Sequence, residues 1–170
     1  LVQFKNFVTD ILHGDFGESY VYKQPVLELI AGRMPATLEM VICAAILTLL
    51  IAIPLGVIAG AAPKKWYSKT IMSASIIGIA LPSFWTGMMM IYLFSVTLGV
   101  LPASGRGAAG FMGFSIFSPG GWRYMVLPTV TLAIGYAAST LRLTRAGIME
   151  NIKQDYVKFA RVKGLSRRKV

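Results

Sequence analysis

The sequence predicts an all-α membrane protein, a polytopic helical bundle with three transmembrane helices. Three observations predict it. Of the 170 residues, 55% are hydrophobic and 14% charged, where a soluble domain carries about a quarter charged. Charge is absent from Met40 to Ala62 and again from Thr70 to Gly105, and uncharged apolar runs of about 18 residues or more read as membrane spans. The cations also divide unequally between the polar segments. Lys64, Lys65 and Lys69 join nine others from Arg142 onward to make twelve, against Lys5, Lys23, Arg33, Arg106 and Arg123 elsewhere. Positive-inside bias predicts that the side with twelve is cytoplasmic. The same distribution accounts for the net charge of +10 without a nucleic-acid partner.

Taken in order, residues 1–34 are expected to form an extracytoplasmic amphipathic or interfacial segment. Phe4, Phe7, Val8, Ile11 and Leu12 recur on one helix face, which suits the membrane surface or packing against the spans. Gly14 ends that helix, and "GDFGES" (14–19) is a turn by composition. Pro25 opens a short helix to about Arg33, since proline is tolerated in a first turn. The transmembrane region follows over 35–151, with spans at about 36–62, 67–99 and 124–141. Glu39 falls in the first turns of the first span, where a carboxylate at the interface suits the helix dipole. A buried, functional Glu39 is the other reading.

The second uncharged stretch is too long for one straight span, because about 20 residues cross the hydrocarbon. Pro82 in "LPSF" (81–84) divides it, removing a backbone donor and clashing with the preceding turn. Backbone groups freed at membrane depth must be buried in protein or face water. Pro82 and Ser83 therefore mark either a break in a translocation path or a packed kink. The Gly-, Pro- and Ser-rich segment 101–122 reads as an extracytoplasmic loop. The third span ends at Arg142 and Arg145, and its helix is expected to continue to about Asn151. The chain starts with Leu and its last residue falls mid-helix by pattern, so a fragment at both ends is expected.

Several function classes are weakened. There is no P-loop, zinc-protease pair or G-x-S-x-G. Cys43 stands alone and His13 is the single histidine, so no disulfide, metal set or catalytic group is expected, nor any cofactor. No acid or base lies deep in a span, which disfavours a proton-driven carrier.

The tail, 152–170, is a basic amphipathic segment. Tyr156, Val157, Phe159, Ala160 and Gly164 share an arc of about 160° on a helical wheel, with Lys163 intruding. A membrane-surface helix held by anionic lipid is one reading. Gly164 is left unexplained by it, since glycine costs about 1 kcal/mol against alanine in a helix interior. A C-cap, or close approach of another backbone, would account for it, and a small-residue face suits a helix docked in a protein groove.

"DYVKFARVKGLSRRKV" (155–170) resembles the cytoplasmic coupling motif of ABC-importer permeases of the dipeptide/oligopeptide/nickel family. The general motif is E-A-A-x-x-x-G, and this branch commonly shows Y-x-R-T-A-R-A-K-G. Aligned on Gly164, Ala160 keeps the second alanine, Phe159 replaces the first and Lys158 replaces the acid. "PVLELIAGRMPATLEM", "GIALPSFWTGMMMIYLFSVTLGVLPASG" and "LPTVTLAIGYAASTLRLTRAGIMENIKQ" resemble further segments of the same branch, in the same order.

The resemblance implies a type I importer permease in a bacterial or archaeal inner membrane, of which this chain would lack the first and the last two transmembrane helices. It implies half of a channel for peptides or related small ligands, not an enzyme. The implied partners are a second homologous permease subunit, two cytoplasmic ATPase subunits, an extracytoplasmic binding protein and membrane lipid. The implied ATPase-coupling residues are Asp155, Tyr156, Phe159, Ala160, Arg161, Lys163 and Gly164. The alternative is a lipid-anchored structural or assembly protein with a basic surface helix.

Overall fold

The computed structural model describes residues 2–164, with the backbone alone at Met112, Ala160 and Arg161. The last six residues of the tail motif lie outside the described residues. The fold is all-α: α1 (Val2–Leu12), α2 (Val26–Ala61), α3 (Trp66–Ala80), α4 (Ser83–Ile91), α5 (Trp122–Asn151) and α6 (Asp155–Val162). A π-helical turn, Tyr92–Thr97, extends α4, and two short 3-10 turns, Phe111–Gly113 and Ser115–Phe117, punctuate the long loop before α5.

α2 and α5 are long and apolar enough to cross a membrane; α3 with the α4 segment makes a third crossing if the bent pair is one span. α2 differs from the expected short helix followed by a separate span. It runs unbroken through Pro35. At 1.5 Å per residue it is roughly 54 Å long, well beyond the roughly 30 Å of hydrocarbon. Counted back about 20 residues from the Lys64–Lys65 end, the far hydrocarbon edge falls near Ala44. Pro35 then lies beyond it, where water can accept the role of the lost backbone donor, so the helix need not stop.

The core is built on backbone proximity rather than bulk. On α2, Ala44, Thr48, Ala52, Gly56 and Gly60 recur every four residues and all are buried. Ala52 packs with Ala137 and Leu141 of α5, both buried as well. A Cβ on Gly56 would lie 2.6 Å from Thr144 Cβ, and one on Gly60 2.8 Å from Ile148 Cβ. The contacts advance together along both helices, so α2 and α5 run in the same direction. In lipid, apolar burial does not drive helices together; close packing of small residues does. The large side chains of α2, among them Ile46, Leu50 and Ile53, point outward and are exposed on the isolated chain.

α3 returns antiparallel, with Gly78 against Ile134 and Ala138 of α5. Its start is tied to the end of α2 by the buried Ser68 hydroxyl, which donates to the Ala59 carbonyl at 2.9 Å.

Candidate functional site

The break at Pro82 is a 97° bend between Trp66–Ala80 and Ser83–Thr97. Leu81 is extended, with φ −81° and ψ 123°, as the residue before a proline tends to be. α4 restarts at once: Thr86 donates its amide to the Pro82 carbonyl at 3.0 Å, and its hydroxyl to the same oxygen at 3.2 Å. The first amides of α4, at Ser83, Phe84 and Trp85, have no acceptor within their own helix.

Two adjoining hollows meet at this bend. One, of about 370 Å³, is lined by Gly78, Ser83, Thr86, Thr131, Gly135 and Ser139 among others. The second, of about 450 Å³, lies between α4, α5 and the loop start Pro102–Gly105, with Met40 of α2 in its wall. Ser83, Thr131 and Leu132 belong to both. The result is one groove along α5, lined by hydroxyls, glycines and apolar groups, with no ionisable acid or base except the phenols of Tyr124 and Tyr136.

At the opposite end of α5, the chain turns through 152–154 into α6. Tyr156 donates its hydroxyl to Asn151 Oδ1 at 3.0 Å, and Asn151 in turn donates its side-chain amide to the Gly147 carbonyl at 2.8 Å. This pins α6 to the last turn of α5. Among the described side chains of α6, Val157 is the buried one, at 6% exposure. Tyr156 and Phe159 stay mostly exposed. Lys158 pairs with Asp155 at 2.8 Å, and the Lys163 ammonium sits 4.5 Å from the Phe159 ring centroid. Both are surface contacts of small energy. Gly164 has φ +80°, and a Cβ on it would meet nothing within 4 Å. Of the two sequence-level reasons for that glycine, the left-handed C-cap is the one realised within the chain. Ala160 and Arg161 lie in α6 by backbone.

Glu39 is where the sequence reading needs correction. It is no solvated interface carboxylate: it is buried, at 3% exposure. Its Oε2 accepts the Ser115 amide at 2.9 Å and its Oε1 accepts the Ile116 amide. The Arg106 guanidinium stands 3.8 Å away. The carboxylate thus caps the 3-10 turn of a loop 76 residues downstream, and these charge-assisted bonds offset its desolvation. No sequence signal connects the two positions.

Residues 52–170 match the model of the family described as binding-protein-dependent transport system inner membrane component. The chain belongs to this family. It is a membrane protein, as its apolar helices require. Among family members, it is 36% identical over 167 residues to a protein of Brucella abortus (strain 2308) named as a peptide transport system permease. That alignment covers 98% of this chain and 51% of the relative. It is 34% identical over 165 residues to the glutathione transport system permease protein of Salmonella typhi, covering 97% of this chain and 50% of that protein. The chain therefore spans about half the length of the curated relatives it matches.

Proposed function

We propose that the chain is part of a permease subunit of an ATP-driven importer for peptides or related small ligands. In this reading it forms half of a channel with a second homologous subunit and receives ligand from an extracytoplasmic binding protein. Two ATPase subunits dock on the other side, where the cation-rich end of the helices faces the cytoplasm. The N-terminal segment, residues 1–34, is then extracytoplasmic, and 152–170 is the cytoplasmic coupling segment.

The observation that carries the reading is α6. A short amphipathic helix is tied to the end of α5 by the Tyr156–Asn151 hydrogen bond, yet leaves Tyr156 and Phe159 mostly exposed. A groove on an ATPase that takes those rings would move α6 and α5 together. ATP binding shifts the transport equilibrium only through contacts that differ between states, and this joint is suited to supply them. Tyr156 and Phe159 act as apolar anchors, Ala160 and Gly164 permit close approach, and Asp155, Arg161 and Lys163 supply charge. The uncharged groove at Pro82 and Ser83 is the corresponding candidate for the ligand path.

A photocrosslinking residue placed at Phe159 in the assembled complex tests this. The expected product is a covalent adduct to an ATPase polypeptide. Capture of phospholipid alone would sink the coupling role and favour a lipid-bound surface helix.

A further inference from the structure

Among the described residues Glu39 is the one buried carboxylate, and neither the α6 joint nor the groove at Pro82 makes use of it. Its surroundings show what it holds. Arg106 faces it and also donates from Nε to the Ser115 hydroxyl at 3.0 Å and from Nη2 to the Gly113 carbonyl. Ser115 donates its hydroxyl to the Gly107 carbonyl at 3.4 Å, and Ser118 donates to the Ser115 carbonyl at 2.7 Å. Gly121, at the start of α5, is pressed against the Ser115 carbonyl so closely that no Cβ fits. One carboxylate on α2 thus gathers both halves of the 101–121 loop and seats them against the head of α5.

This clasp adjoins the groove. Met40, next to Glu39, lines the larger hollow, and so do Pro102–Gly105, which lead directly into Arg106. Gly105 packs on the Tyr124 ring of α5. The segment over the hollow is therefore fixed at its downstream end by the residue that pairs with Glu39.

We propose that Glu39 is a positioning residue for the groove: by gripping Arg106 and the Ser115–Ile116 amides, it holds Pro102–Gly105 as a fixed roof over the outer hollow. The lining beneath that roof offers hydroxyls, glycine backbone and apolar walls without formal charge. It suits an extended peptide main chain recognised by hydrogen bonding rather than by side-chain charge. That ligand class rests on the transport reading above; the clasp itself does not.

The test uses the intact permease, assembled with its partners in lipid nanodiscs, carrying Glu39→Gln. Arg106→Lys serves as a milder second variant if the first does not fold; it leaves the carboxylate–amide bonds in place, so it is read by KM and by the spin labels, with the same outcomes. Glutamine keeps the shape but turns an N–H₂ toward one of the two loop amides. Hydrogen exchange at Ser115 and Ile116 is expected to rise roughly tenfold or more, while the α2–α5 contact at Gly56 and Gly60 stays protected. For uptake of radiolabelled trialanine, KM is expected to rise several-fold with Vmax within about twofold. Unchanged exchange overturns the clasp. Faster exchange with KM and Vmax at parental values, or with a fall in Vmax alone, overturns the positioning role. A parent assembly that takes up no trialanine sinks the peptide ligand class instead. The roof is then decided by spin labels at Ser104 and Trp66: a distance distribution that broadens in Glu39→Gln supports it, and an unchanged one overturns it.

Discussion

Gly56→Ala probes the contact on which the α2–α5 pair is built. The added Cβ would stand 2.6 Å from Thr144 Cβ, 2.8 Å from Thr144 Cγ2 and 3.0 Å from the Leu141 carbonyl oxygen. Favourable carbon–carbon contact lies at about 3.5–4.0 Å, so the helices must part locally by roughly 1 Å. Thr144 cannot yield by rotation: its Cβ is bonded to the backbone of α5, and the Leu141 oxygen is backbone too. Overpacking of this kind costs about 1–3 kcal/mol. Alanine also brings back about 1 kcal/mol of helix propensity, which would mask part of the loss. Gly147→Ala removes that ambiguity, because Gly147 lies in α5 with nothing within 4 Å of its Cβ position. The expected result is a difference of about 1–3 kcal/mol between the two variants, read from SDS-driven unfolding of the permease in mixed micelles by tryptophan fluorescence. Thr144→Gly should recover part of it in the Gly56→Ala background, by removing two of the three close contacts. Equal stability of Gly56→Ala and Gly147→Ala, or strict additivity with Thr144→Gly, would refute small-residue packing as the basis of the pair.

Two further substitutions address the bend and the cap. Pro82→Ala restores an amide donor at the break, and the segments on either side each hold 15 residues, counting α3 as 15 and α4 with its π turn as 9 and 6. At a 97° bend their far ends stand roughly 30 Å apart, against roughly 45 Å for a straight helix. Spin labels at Trp66 and Val96 should therefore show a longer-distance population in Pro82→Ala; an unchanged distribution would mean that packing on α5 alone sets the bend. Gly164→Ala should destabilise the end of α6 by about 1–2 kcal/mol because of the left-handed φ, with Gly164→Asn milder. Amide exchange at Lys163, whose N–H donates to the Phe159 carbonyl at 3.1 Å, reports it. Parental exchange in Gly164→Ala would show that the cap does not hold the helix.

The legible parts of this chain share one property: they are written in local pattern. Hydropathy marks the long helices, because the bilayer demands continuous apolar length. Pro82 marks the break, because a missing donor has the same consequence wherever it falls in a helix. The amphipathic tail marks α6 up to Gly164. The misread parts involve what surrounds a residue. Pro35 looks like a boundary by rule, yet α2 passes through it outside the hydrocarbon. Val157 is buried where Tyr156 and Phe159, on the same arc, are exposed, and no local pattern tells them apart. Glu39 looked like a solvated end-group because its partners, Arg106, Ser115 and Ile116, are separated from it by two further helices.

By itself, the sequence determined that the chain lives in a membrane, where its apolar stretches lie, where one of them breaks and which end carries the basic segment. Those properties follow from the solvent each stretch of chain can tolerate. Only the tertiary structure decided which helices lie in contact, that glycines and alanines make that contact, and that a carboxylate on α2 holds the loop before α5. Those depend on distances between residues far apart in the chain, and in lipid, where apolar surface alone selects no partner, it is shape and hydrogen bonding that set them.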